Sequence, residues 1–495
     1  MNHAINALAP ALEASAQPQR KDVAFLPLHL ALMTLVITIS LAAIGTRIYE
    51  SPSSHAMLAI VTGLAGGGLI AYARYFLRLP WLSGPLVYLM LLWMFHFGYT
   101  FTAVLVPSML TNLLDEEVEW LSYESTRLSM ILGELGAAGF VASLGLFARR
   151  PTLEAPTAKS PAQIGLYMIG WLIMVGAIAL AIWVLVQYGG VAVFSMTYLE
   201  YRATVLNGSM MSSAMELSQL GCLMAVCGGG GRRWVMPVTV WSAAIGVPTL
   251  LIGGRAPAMI TGLTFLVVLT KLGVRFRRSF MIATIAVATV MIPSVYVIRE
   301  VGFANRNAVN WTDVTPLDTL MELGSSLQAT RAYVDWIERG DPFLLGASYW
   351  APVDRQILSR VIPGREAIAY QQDERIPIRL MDEREGAIGG SATGEAFYNF
   401  GALGPVLYFG SLGILFGWLQ RTPASPYSAA VMGVILLVLC FNIRSDWLAV
   451  PAQIGQGLLL VACCYLVDLF AVPSLFNTST KQSHEPPALS GGRFA

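Results

Sequence analysis

The sequence predicts an all-α polytopic membrane protein with about twelve transmembrane helices and one large, partly helical loop on the outer face. Only 12% of its 495 residues are charged and 55% are hydrophobic. A soluble domain carries about 25% charged residues and could not cover its surface with so few. Mean hydropathy is +0.61. Apolar stretches of the roughly 20 residues needed to cross hydrocarbon recur along the chain.

The expected spans run over 24–46, 55–75, 84–106, 127–148, 164–187, 209–229, 234–252, 256–274, 279–298, 396–419, 427–443 and 448–470. Tails 1–22 and 471–495, rich in Ala, Ser, Pro and Gln, read as disordered. Between them, 23–298 holds helices one to nine, 299–395 forms the loop, and 396–470 holds the last three. The seventh and eighth spans meet at Gly253, Gly254 and Arg255, a connection short enough to force a tight hairpin. The first 22 residues are polar to mixed and the first apolar run is long enough to stay as a span, so no cleavable signal peptide is expected. No internal repeat marks two related halves.

Basic residues orient the chain. With both termini cytoplasmic, the inside loops carry Arg74, Arg78, Arg149, Arg150, Lys159, Arg232, Arg233, Lys271, Arg275, Arg277, Arg278 and Arg421. The short outer loops carry Arg47, Arg127, Arg202, Arg255 and Arg444, beside the acidic stretch Asp115, Glu116, Glu117 and Glu119. All four lysines fall inside, and Arg20, Lys21, Lys481 and Arg493 add to that side from the tails. Without a basic domain or tail to displace counterions, nucleic acid is not an expected partner. The outer basic residues are all arginines.

The loop 299–395 has ten arginines, no lysine and fifteen acids. Thr315-Pro316 followed by Asp318 reads as a helix start. Leu317, Leu320, Met321, Leu327, Val334 and Ile337 recur at helical spacing until Gly340, and a second helix is expected from Pro352 to Val361. Arg365 to Gly390 shows no clear periodicity. A cap of this length could act as a lid over a site at the outer interface.

Several chemistries drop out. Cys222, Cys227, Cys440, Cys463 and Cys464 lie in or near spans, so no exported disulfide framework is expected. His3, His29, His55, His96 and His484 show no metal-ligand spacing, and neither metal nor cofactor is expected. His96 reads as a packed or hydrogen-bonded core residue. Among the arginines, Arg299, Arg306, Arg331, Arg355, Arg360, Arg375 and Arg379 belong to the loop, where pairing with nearby acids is the plainer reading. Arg47 and Arg127 suit span ends, where long side chains snorkel.

Arg255 is different. It stands between two spans with almost no loop around it, where a charge is costly unless partnered. A guanidinium fork suits phosphate oxygens. Arg444, beside Asp446, and Arg202 follow as candidates. Glu395 begins the tenth span, a favourable position for an acid at a helix N-terminus and equally a candidate base. Glu134 and Glu216 are intramembrane acids, functional candidates by default. Asp468 reads as structural.

Gly389-Gly-Ser-Ala-Thr-Gly-Glu-Ala-Phe-Tyr-Asn-Phe-Gly-Ala-Leu-Gly404, entering a span directly after a long outer loop, resembles the repeat-unit polymerases of bacterial O-antigen and exopolysaccharide assembly. So do Gly253-Gly-Arg255 and the Asn442-Ile-Arg444 turn. Arginine–ten residues–glycine patterns associated with such loops occur at Arg375 to Gly386 and Arg379 to Gly390, with a high chance rate among 46 glycines.

The resemblance implies a metal-independent glycosyltransferase of the bacterial inner membrane. It would move a glycan from undecaprenyl diphosphate onto the hydroxyl of a second lipid-linked repeat unit at the periplasmic face. Glu395, then Asp446, would be the base, and Arg255, Arg444, Arg202, Arg379, Tyr398 and Asn399 would bind substrate. Membrane lipid, a chain-length regulator and a flippase would be partners. An O-antigen ligase-like enzyme and a twelve-span transporter of solute or lipid-linked oligosaccharide remain alternatives.

Overall fold

A computed structural model describes residues 25–51, 54–106, 119–147, 163–206, 209–301, 317–386 and 388–470. The two tails, Asp115 to Glu117, Arg149, Arg150, Lys159, Arg306 and Thr315-Pro316 lie outside the described residues. Among those described there is no strand.

The first four apolar helices are α1 (Phe25–Gly45), α2 (His55–Tyr75), α3 (Gly84–Leu105) and α4 (Glu124–Phe147). Next come α5 (Ile164–Gln187), α6 (Ser209–Gly228), α7 (Val235–Leu251), α8 (Arg255–Lys271) and α9 (Arg278–Val301). Five shorter helices follow: α10 (Asp318–Gly324), α11 (Leu327–Glu338), α12 (Ala347–Val353), α13 (Pro377–Arg384) and α14 (Ala392–Phe400). The chain closes with α15 (Leu403–Arg421), α16 (Pro426–Asn442) and α17 (Val450–Phe470).

Each expected span coincides with an apolar helix, but among the described residues nine are long and apolar enough to cross a membrane. Helices α7, α8 and α16 reach 17 residues, a rise of roughly 25 Å. The tenth expected span, 396–419, is divided. Gly401 breaks it at φ 61°, so Tyr398 and Asn399 sit on the separate helix α14, ahead of the span α15.

The chain forms two compact units. In the first, the described residues of Met1–Leu153, Thr315–Thr422 and Leu439–Pro451 include α4, the most buried of the spans. Helix α15 lies against α4 at glycine contacts: a Cβ on Gly413 would fall 2.3 Å from the Phe140 carbonyl oxygen. His29 ties α1 to both neighbours, 2.8 Å from the Tyr72 hydroxyl and 2.9 Å from the Ala142 carbonyl oxygen. His96 is a buried core residue bonded to the Leu92 carbonyl at 3.0 Å.

The long loop is packed rather than draped. The helix expected from Leu317 to Gly340 is two, α10 and α11, separated at Gly324. There the chain meets α3 so closely that a Cβ on Gly324 would fall 2.0 Å from the Tyr99 nitrogen. Helix α11 is buried on two faces, Leu327 and Val334 in one apolar cluster and Tyr333 and Trp336 in another. The helix expected from Pro352 begins earlier, at Ala347, and continues through a π-helical stretch at Asp354–Leu358 to Val361. Helix α13 arises in the stretch that shows no periodicity, because eight residues burying Pro377, Leu380 and Met381 are too few to show a period.

The second unit gathers the described residues of Glu154–Val314, Pro423–Val438 and Ala452–Ala495. Its α5–α6 pair is joined by small residues, the usual means of close helix contact in lipid. A Cβ on Gly221 would fall 2.5 Å from the Met174 nitrogen. Gly221→Val is therefore expected to cost about 1–3 kcal/mol through overpacking, measured as a lower melting temperature of the purified protein. Gly176→Val, on the same pair but with nothing within 4 Å, is expected to leave it unchanged. Asp468 is structural, accepting the Gly165 N–H at 2.6 Å and the Tyr427 hydroxyl. Glu216 accepts from the Gln453 amide at 3.3 Å. The five cysteines are free thiols.

Candidate active site

In the first unit, α12, α14 and the turn after α16 are held together by one carboxylate. Ser391 caps α14 by accepting the Gly394 N–H at 3.2 Å and hydrogen-bonds Thr330 at 2.7 Å. Glu395 follows in the first turn, where an acid suits the helix dipole. Its role extends further, since the side chain is 1% exposed. One oxygen accepts from the Ser348 hydroxyl at 2.5 Å and the other from the Trp447 N–H at 2.7 Å. One turn on, Asn399 donates to Ser348 at 2.7 Å and accepts the Gly346 N–H at 2.9 Å.

The turn 443–447 is fixed from several sides. Asn442 donates to the Asp446 carbonyl at 2.9 Å and accepts from the Tyr408 hydroxyl. The Gly390 N–H donates to the Arg444 carbonyl at 3.2 Å. A Cβ on Gly390 would fall 2.9 Å from the Ser445 carbonyl carbon, so a glycine allows this approach. Thus Gly389 and Gly390 pack against the Arg444–Asp446 turn. The Arg444 guanidinium lies over the Phe95 ring, 5.6 Å from its centre, an arrangement that attracts a cation to the π face.

Asp446 is 3% exposed, and one of its oxygens, Oδ2, has no hydrogen-bond partner among the described residues. Backbone N–H groups of Ile378 and Leu448 support its carboxylate. Burial pushes the Glu395 carboxyl up, and the nearby Asp446 charge adds to the effect. Burial also raises Asp446, with Asp382 adding to it and the backbone N–H groups opposing it. Two neighbouring buried acids resist ionising together.

Tyr398 donates to Asp341 at 3.1 Å, beside the Arg384–Asp341 pair at 2.5 Å. Burial and Asp341 push its phenol up to about 12. Arg379 pairs with Glu383 at 2.6 Å, while its Nε is buried without a partner among the described residues. Most other described loop arginines pair with loop acids: Arg331 with Asp335, Arg365 with Asp354, and Arg375 with Asp354 and Asp373. Hydrogen bonds from Arg375 and Arg365 hold Asp354 below the usual carboxylate range. Arg127 spends its guanidinium on the carbonyls of Tyr49, Glu50 and Ser122, and Arg47 pairs with Glu50 at 2.8 Å.

The structure therefore brings Glu395, Asp446, Arg444 and Asn399 to one turn, with Arg379 on the adjoining segment. Tyr398 shares α14 but directs its hydroxyl to Asp341. Arg255 and Arg202 belong to the second unit. Arg255 is buried at the first position of α8, the end where the helix dipole disfavours a cation. Helix stability therefore does not account for it. Arg202 opens a π-helical stretch and is half-buried. Glu134 is buried in α4, and neither oxygen has a hydrogen-bond partner among the described residues. Ser348, Trp447 and Tyr408 emerge only in three dimensions. Beside the turn, Tyr349, Phe400, Leu407, Tyr408, Ser411 and Trp447 line a cavity of about 270 Å³.

Nine helices among the described residues long and apolar enough to cross a membrane, with a buried acid and an arginine on the turn between α16 and α17, define a multi-pass membrane protein with a polar site next to its apolar helices. The chain belongs to the O-antigen polysaccharide polymerase Wzy family, whose model matches residues 31–472. It is similar to Protein CapE of Staphylococcus aureus, 27% identical over 197 residues, 39% of this chain and 43% of CapE. The chain thus spans less than half the length of that curated relative. No solved structure matches it.

Proposed function

We propose that the protein polymerises undecaprenyl-diphosphate-linked oligosaccharide repeat units at the periplasmic face of the inner membrane, with both termini in the cytoplasm. The observation that carries this reading is the Arg444–Trp447 turn, which sets a guanidinium and a buried carboxylate with one free oxygen beside helices leading into spans. Asp446 takes the proton from an acceptor sugar hydroxyl. The hydroxyl oxygen bonds to the donor's anomeric carbon as the bond from that carbon to the diphosphate oxygen breaks, and the lipid diphosphate leaves with the electron pair.

Arg444, with Arg379 on the adjoining segment, balances the leaving charge; fixed donors aimed at developing charge are usually the largest catalytic term. Glu395, whose two oxygens are occupied, acts in this scheme by ordering Trp447 and hence the turn. Asn399 and Tyr398 support the sugar-facing wall. Arg255 and Arg202 form a separate anion-binding position in the second unit. The aromatic cavity takes part of the isoprenoid chain. No metal takes part in this scheme.

Deleting the gene tests the reading. The expected surface glycan is a single repeat, with the polymer ladder restored by the wild-type gene. A full ladder in the deletion strain would reject it.

A further inference from the structure

Around Asp446 the structure leaves unusual accounts open. The Tyr333 hydroxyl on α11 is buried without a hydrogen-bond partner among the described residues, as are Asp446 Oδ2, Arg379 Nε on α13 and the Thr393 hydroxyl on α14. Leaving a buried polar group unpaired typically costs about 1–3 kcal/mol, so a group of them in one place calls for an occupant. Two of them, the Tyr333 hydroxyl and Asp446, lie within each other's reach. The Tyr333 ring packs over Gly394, where a Cβ would fall 2.2 Å from it, and Thr393 is the preceding residue. Tyr333 lies within the fields of both Glu395 and Asp446, while Tyr370 senses Asp446 and Arg379 together. Burial, then those acids, pushes the Tyr333 phenol far up, so it stays protonated and can only be offered as a donor when its partner accepts.

We infer that Tyr333, with Asp446, holds the reacting hydroxyl of the acceptor sugar: the hydroxyl donates to Asp446 Oδ2 and accepts from the Tyr333 hydroxyl. A group that donates and accepts at once fits this pairing. Thr393 supplies a further bond to the same sugar. Val361–Gln372, leading into α13, is exposed residue after residue, and its Tyr370 lies in the field of Asp446. This inference rests on the proposed polymerase reading.

The test is Tyr333→Phe, which removes one oxygen and leaves the ring packing intact. If the hydroxyl serves substrate, the full-length protein in membranes should keep or raise its melting temperature, since an unpaired buried group is gone. Meanwhile its rate of repeat-unit extension should fall about tenfold or more, with KM for the acceptor raised. Thr393→Val should follow the same pattern more weakly. Unchanged extension by Tyr333→Phe, with Asp446→Asn inactive, would overturn this inference and leave the polymerase reading standing. Loss of melting temperature in Tyr333→Phe would also overturn it, by showing that the hydroxyl serves the fold. Wild-type extension by Asp446→Asn would remove the polymerase reading of the turn itself.

Discussion

Asp446→Asn is expected to reduce polymer formation by about 10²–10⁴-fold, the contribution typical of a positioned general base, while the protein inserts and accumulates as wild type. The substitution keeps shape and most hydrogen bonds and removes the proton acceptor. Activity should also depend on pH in a particular direction. Burial raises Asp446 above the ordinary carboxylate range, so its basic form appears only as pH climbs through that raised value, and activity should climb with it. Glu395, Asp382 and Tyr333 lie within reach of this group and shape the transition.

The linkage to stability has the opposite sign. With both acids raised, the native state holds protons that the unfolded chain has released, so stability falls as pH rises from ordinary carboxylate values through the raised ones. Asp446→Asn should weaken that dependence. A pH–rate profile and a pH–melting series on the same preparations measure both effects.

Arg444→Ala is expected to lower extension by about 10²–10³-fold, as loss of a preorganised donor to a developing oxyanion does. The guanidinium is held over Phe95 at 5.6 Å, and its own backbone is fixed by Gly390. Arg444→Lys should restore little, because an ammonium does not reproduce a planar fork toward diphosphate oxygens. Arg255→Ala tests the second unit independently, and the same single-repeat glycan is expected from it. Polymer of wild-type length from Arg444→Ala would remove the anion-clamp role of this turn, and the same from Arg255→Ala would confine the chemistry to the first unit.

The apolar helices were legible because hydrocarbon imposes length and composition directly: α1, α2, α3 and α5 fall within a residue or two of the expected spans. Where other forces compete, the reading failed. Gly401 and the tight contact of Gly404 with Ala396 detach α14 from α15, although both are apolar enough to read as one span. Helix α13 is too short to show a period. In the site, Glu395, Asp446 and Arg444 stood out as charged residues at the ends of apolar spans on the outer side. Their partners did not, since Ser348 and Trp447 reach Glu395 across 47 and 52 residues of chain and carry no local pattern. Tyr333 gave no signal at all, because only the fold reveals that its hydroxyl is buried without a partner. Most arginines of the long loop serve ion pairs, as their many acidic neighbours suggested.

The most direct test of the central claim, that the Arg444–Trp447 turn carries out polymerisation, uses the purified full-length protein in liposomes with a lipid-diphosphate-linked repeat unit. The account predicts that the wild-type protein forms oligomers of two or more repeats and releases one lipid diphosphate per linkage, whereas Asp446→Asn does neither. Oligomers formed by Asp446→Asn at the wild-type rate would contradict it.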